Sequence, residues 1–154
     1  MLTSQQKEML EKLPNLLSKY GGINNSYTGY GTECSKYFEY LREKYMGSKK
    51  DSRTVFTKMT NVQKDAYYEL CGNVHKLKTT REKTLAQVAC GLRLTYEEAF
   101  MLFYYNGKNL LCDNPFYQAM NNELLKLDTV DWTKLNEEGS MVLFSKMMEP
   151  FEGQ

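Results

Sequence analysis

The side chains with the clearest chemistry in this sequence are cations gathered in its middle third. Residues 42–93 hold 12 lysines and arginines against 5 aspartates and glutamates, a local charge of +7, while the remainder hold 8 against 14, a local −6. The chain as a whole is near neutral at +1, so its total charge conceals the asymmetry. Lysine and arginine neutralise phosphates and release their counterions, which needs a concentrated basic face rather than a basic whole. Lys49, Lys50, Arg53 and Lys58 come first, and His75, Lys76, Lys78 and Arg81 close the run. Between them Gln63, Lys64 and Tyr68 carry groups suited to base edges and phosphate oxygens. The same pattern also suits complementary halves of a self-associating protein.

Other reactive side chains do not assemble into a catalytic or metal-binding set. His75 is the single histidine and has no evident serine or cysteine partner. General acid–base chemistry needs two positioned groups with opposed proton affinities. The pairs Glu97-Glu98 and Glu137-Glu138 are adjacent in sequence, so on a helix they splay apart. Neither GxGxxG nor GxxxxGK[ST] is present, and the glycines at 21, 22, 29 and 31 are irregular. Cys34, Cys71, Cys90 and Cys112 are widely spaced, with no CxxC pair from which a zinc site is normally built. They read as reduced, small apolar groups. The expectation is a protein that is not an enzyme and has no metal or cofactor.

The elements that must position the cations read as helices. Hydrophobic residues at 42% and charged residues at 25% are typical of a folded chain and exclude wholesale disorder. No stretch alternates with period two, so no sheet is expected, and no apolar run approaches the roughly 20 residues that cross a bilayer. The start MLTSQQKEML lacks the basic stretch and apolar centre of an export signal, giving the expectation of a cytoplasmic protein. Residues 3–19 place Met9, Leu10, Leu13, Leu16 and Leu17 at helical spacing behind a Thr3 or Ser4 cap, with Pro14 expected to kink or split the helix. A loop dense in glycine, asparagine and tyrosine follows at 20–31.

Further along, the spacing predicts helices over 32–45, 53–59 and 62–71, the last two joined by a tight turn at Thr60-Asn61. Gly72-Asn73 reads as a helix end, and Gly91 as the terminator of a helix over 80–91. Thr95 and Glu98 form a capping-box pattern ahead of the apolar run EEAFMLFYY, which stops at Asn106-Gly107. Pro115 suits the first position of a helix over 114–126, and a last helix is expected from Val130 or Asp131 to Met147. Val62, Ala66, Tyr67 and Leu70 would form the inner side of the 62–71 helix, leaving Gln63, Lys64 and Tyr68 outward. Tyr37, Tyr67 and Tyr104, at helical spacing, read as core.

Two short helices joined by a tight turn, then a basic connector and two more helices, make a specific layout. Residues 37–105 resemble a lambda-repressor-like (Cro or Xre type) helix-turn-helix domain. YFEYLREKYMG is similar to that family's first helix, SRTVFTKM to its second, NVQKDAYYELCGN to its turn and recognition helix, and TLAQVACGLRLTYEEAFMLF to its last two helices. The stretch NGKNLLCDNPFYQAMNNELLKLDTVDWTKLNEEG resembles a C-terminal extension of a group of Firmicutes proteins, so the likeness covers residues 37–139. The family's glutamine in the second helix has no counterpart between Arg53 and Thr57, and Asp65 and Glu69 fall where phosphates and base edges would be met.

The resemblance implies an all-α, compact multi-helix domain: an N-terminal helix and Gly/Tyr-rich loop (1–31), a helix-turn-helix core (32–107) and a C-terminal helical extension packed on it (108–154). It implies a double-stranded-DNA-binding transcription regulator of bacterial or phage origin, reading DNA through Gln63, Lys64 and Tyr68 and held to phosphates by the flanking cations. A homodimer would serve that role, because such proteins typically bind two half-sites one helical turn apart. The competing expectation is a protein-interaction module, an adaptor or small inhibitor in bacterial defence or phage counter-defence, built on a degenerate form of the same fold. Its docking or oligomer surface would use Trp132, Leu135, Met141, Phe144, Met147 and Met148, since methionine-rich helices adapt to partners.

Overall fold

The computed structural model describes residues 1–20, 32–47, 52–71 and 80–152. Among them are eight α-helices and no strand: α1 (Ser4–Tyr20), α2 (Thr32–Met46), α3 (Ser52–Thr60), α4 (Lys64–Leu70), α5 (Glu82–Leu92), α6 (Tyr96–Tyr105), α7 (Pro115–Leu125) and α8 (Glu137–Met148). Short 3-10 turns lie at Lys126–Thr129, Trp132–Lys134 and Glu149–Phe151. The all-helical class expected from the sequence is what the chain adopts. No described helix is long and apolar enough to cross a membrane.

One hydrophobic core draws on all eight helices, from Met9 and Leu16 of α1 to Met147 and Met148 of α8. Its centre is α5, which packs against α3, α6 and α8. Leu85, Ala86, Val88, Ala89, Cys90, Gly91 and Leu92 are all buried, so the second half of the helix is enclosed by others on most of its circumference. The small residues Ala86, Ala89, Cys90 and Gly91 let neighbouring backbones approach. Burial pushes the Cys90 thiol up to about 12, which keeps it protonated and inert beside Met147, whose sulfur is 3.5 Å away.

α1 begins with a reciprocal cap: the Thr3 hydroxyl accepts from the Gln6 amide, and the Gln6 side chain accepts from the Thr3 amide. The helix then runs through Pro14 without being divided, contrary to the split that proline suggested. Met9 and Leu16, on either side of it, are buried in the same core, and that packing outweighs the lost backbone bond. Gln6 is fully buried and its amide donates to the carbonyls of Leu110 (2.7 Å) and Cys112 (3.1 Å), anchoring α1 to the connection before α7. Gln6→Ala would orphan the buried Leu110 carbonyl and release that of Cys112, at a cost of about 2 kcal/mol. The expected outcome is faster proteolysis within 1–20 while the remaining helices resist, and an unchanged cleavage pattern would show the anchor to be dispensable.

The ends of α6, α7 and α8 follow local sequence signals. Thr95 and Glu98 close the capping box, and Gly107 takes the left-handed conformation after α6. Asn114 caps α7 with Pro115 at its first position. Asn136 caps α8 through the Gly139 amide. Two expectations differ from the structure. The final helix starts at Glu137, because Asp131 and Asn136 each draw a following amide onto their own side chains, leaving only a 3-10 turn between them. The terminator of α5 is Arg93 rather than Gly91: Arg93 sits at φ 64, and Leu94 donates back to the Ala89 carbonyl. The Arg93 guanidinium offsets that left-handed strain by donating to the carbonyls of Leu135 (2.8 Å) and Trp132 (3.4 Å).

Candidate nucleic-acid interface

The segment over 52–71 is two helices with a three-residue break, not one rod. α3 turns Phe56 and Thr60 inward and leaves Arg53, Thr54 and Lys58 exposed; α4 turns Tyr67 and Leu70 inward and leaves Lys64, Asp65 and Tyr68 exposed. The break begins at Asn61, whose φ of 58 is a left-handed conformation that asparagine tolerates. Asn61 donates its amide to the Thr57 carbonyl at 2.8 Å. Thr60 donates its hydroxyl to the Phe56 carbonyl (2.8 Å) and accepts from the Val62 amide (3.1 Å). Val62 is buried. The turn thus has partners for its own backbone groups before any ligand arrives.

Helix α5 holds this turn from behind. The Gln87 side chain donates to the Thr60 carbonyl at 2.8 Å. Gly91 lies so close to the end of α3 that a Cβ there would stand 2.6 Å from the Thr60 Cα and 2.7 Å from the Met59 carbonyl oxygen. The residue read from sequence as a helix terminator is therefore a contact point between helices.

Helix α4 has seven residues and no side-chain cap, so its placement depends on tertiary contacts. Tyr67 and Leu70 are its buried residues. The Tyr67 ring packs against Phe38 of α2 and Phe56 of α3, with centroids 5.7 and 5.1 Å away. The Arg42 guanidinium donates to the Tyr67 hydroxyl at 2.9 Å and lies over the Phe38 ring at 5.2 Å. At the other end, Glu69 accepts from the Thr80 hydroxyl at 3.2 Å, tying α4 to the approach of α5. Glu69 is thereby engaged within the fold.

Between the outer sides of α3 and α4 lies an open groove lined by Arg53, Thr54, Thr57, Lys58, Gln63 and Lys64. Four of these, Arg53, Lys58, Gln63 and Lys64, are among the residues singled out in the sequence, and the structure brings them onto one surface. None of the six is acidic. The side chains of Arg53, Lys58 and Lys64 form no ion pair with a described residue, whereas Lys12, Lys19, Lys44 and Lys126 each meet a carboxylate. Thr54 and Thr57 were not singled out. Their signal was present, since residues 53, 54, 57 and 58 share one face of a helix.

The other expected residues are placed differently. Tyr68 is exposed on α4, its ring edge-on to Tyr67 at 5.6 Å, and does not line the groove. Arg81 is exposed just before α5 and is likewise outside the groove. Lys49, Lys50, His75, Lys76 and Lys78, together with the Gly72-Asn73 helix end and the glycine-rich loop, lie outside the described residues. In the C-terminal set, Phe144, Met147 and Met148 are buried, Trp132 and Met141 are half-buried against the core, and Leu135 is half-buried. The buried half of that stripe packs α8 onto α5 and α3. The large apolar side chains that remain exposed among the described residues, Met1, Leu10, Tyr40, Tyr68 and Val142, are spread over separate elements.

A second charged cluster proves structural. Glu98 is only 1% exposed, and its carboxylate accepts from the Thr95 amide (3.1 Å), from Lys44 (2.6 Å) and from the Tyr45 hydroxyl. The hydrogen bond to Glu98 raises the Lys44 proton affinity, and burial followed by the Glu98 contact raises that of Tyr45. Capping accounts for only part of what Glu98 does, because the rest of its partners come from α2. No protein-family model matches the chain, and neither a characterised protein nor a solved structure matches it.

Proposed function

We propose that the chain binds double-stranded DNA through the α3–α4 face and acts as a small regulator of transcription. The observation that carries this reading is the groove itself: three cations without ion-pair partners among the described residues, two threonine hydroxyls and one glutamine, with no carboxylate among the six lining side chains. Arg53 and Lys58 meet phosphates, Thr54 and Thr57 donate hydroxyls to the same strand, and α4 enters the major groove with Gln63 and Lys64 leading. The turn held by Thr60, Gln87 and Gly91 presents these groups without rearrangement, so little ordering cost falls on binding. The interaction-module alternative has less support, since Phe144, Met147 and Met148, half of the apolar stripe it relied on, are buried in the core.

The test is a fluorescence-anisotropy titration of a labelled duplex at low salt, repeated as salt is raised. Affinity is expected to fall linearly on logarithmic axes, and each phosphate contact removed should reduce that slope by about 0.9. Arg53→Ala combined with Lys64→Ala is expected to weaken binding at least tenfold, by about 1.4 kcal/mol or more, while helical circular dichroism is unchanged. Absence of binding at low salt, or an unaltered slope in the double variant, would reject this face as the DNA site.

A further inference from the structure

Within this DNA-binding reading, on which the following rests, the exposed side of α4 contains an acidic residue that phosphate attraction alone does not explain. With about 100° per residue, the inward direction of α4 lies between buried Tyr67 and Leu70. Asp65 is then almost diametrically opposite, with Tyr68 and Glu69 flanking it and Lys64 turned aside toward the groove. Asp65 is exposed, sits in the first turn of α4, and forms no ion pair with a described residue. A helix inserted into the major groove by its N-terminal residues brings its outermost early side chain closest to the base edges. Here that side chain is Asp65.

We infer that Asp65 is the specificity-determining residue of this face, selecting a base pair that presents the cytosine amino group in the major groove. An ionised carboxylate only accepts hydrogen bonds. Guanine presents two acceptors in the major groove, thymine an acceptor and a methyl group, and adenine an acceptor beside its amino group; cytosine presents a donor alone. Against guanine or thymine the carboxylate meets oxygen or nitrogen lone pairs and is repelled. Against adenine its second oxygen faces N7. The cytosine amino group matches it without an opposing acceptor. Arg53, Lys58 and Lys64 attract any duplex, and Asp65 withdraws that attraction wherever the required donor is missing, so specificity comes from a penalty as much as from a contact.

The experiment is selection from a pool of duplexes with a randomised central segment, sequencing the bound fraction for the natural protein, Asp65→Asn and Asp65→Ala. The natural protein is expected to enrich cytosine at one position about tenfold, the discrimination typical of a specific side-chain contact. Asp65→Asn should move that position toward adenine, whose N6 and N7 asparagine can engage together. Asp65→Ala should lose the preference there and bind random duplex several-fold more tightly. If all three proteins enrich the same base at every position, or the natural protein enriches adenine at the position that Asp65→Ala changes, the assignment is overturned while the DNA reading stands. If none retains duplex at low salt, both fall together.

Discussion

Replacing Gly91 by alanine is expected to destabilise the protein by about 3 kcal/mol, at the upper end of what overpacking a tight core costs. Two of the three atoms that the new methyl group would meet, the Thr60 Cα and the Met59 carbonyl oxygen, are backbone, at 2.6 and 2.7 Å. Neither can rotate away, so α3 must move off α5. That movement would also break the bond from Gln87 to the Thr60 carbonyl and displace the turn that orients α4. Gly139 supplies the control. A methyl group there would meet the flexible Leu135 side chain first, at 3.1 Å. Alanine is favoured over glycine inside a helix by roughly 1 kcal/mol, so Gly139→Ala should be near neutral. Denaturant unfolding checks both: a lower midpoint at constant slope for Gly91→Ala, little change for Gly139→Ala. Equal midpoints would mean that the α3–α5 approach is looser than it looks. Under the DNA reading, Gly91→Ala should also weaken duplex binding although it touches no ligand.

The second large effect concerns Glu98. Glu98→Ala removes the glutamate half of the capping box, worth about 1 kcal/mol, and leaves the half-buried Tyr45 hydroxyl without its acceptor, at a further cost of about 2 kcal/mol. Lys44 adds little to that loss, because its side chain is 46% exposed and can return to water. The cluster also predicts an alkaline signature. Lys44 and Tyr45 both hold their protons more tightly in the fold than at their ordinary values of 10.5 and 10.0. The stability they contribute is therefore full below those values and is lost as pH rises beyond them. Thermal melts between about pH 8 and pH 11 should show the natural protein losing midpoint above pH 10 more steeply than Glu98→Ala, which lacks the carboxylate that holds the Lys44 proton and keeps only burial to hold that of Tyr45. Parallel curves would show that the cluster does not couple proton binding to folding.

What could be read from residue order alone was whatever depends on neighbours within a turn of helix. The Thr95–Glu98 capping box, the Asn114-Pro115 start of α7, the helical break after Thr60 and the outward positions of Gln63 and Lys64 all follow from contacts three or four residues long. The all-α class followed from apolar spacing for the same reason. Pairings across the fold were not readable. Gln87 reaches Thr60 over 27 positions and Lys44 reaches Glu98 over 54, so no local pattern announces them. Gly91 looked like a helix end because glycine often is one; its closeness to Thr60 exists only once α3 and α5 are packed together. Apolar spacing likewise showed that Phe144, Met147 and Met148 must be covered, but hydrophobic attraction is non-directional and cannot say by what. Packing of α8 on α5 and α3 supplied the cover from within the chain, and packing of α4 through Tyr67 onto Phe38 and Phe56 left the α3–α4 groove facing out.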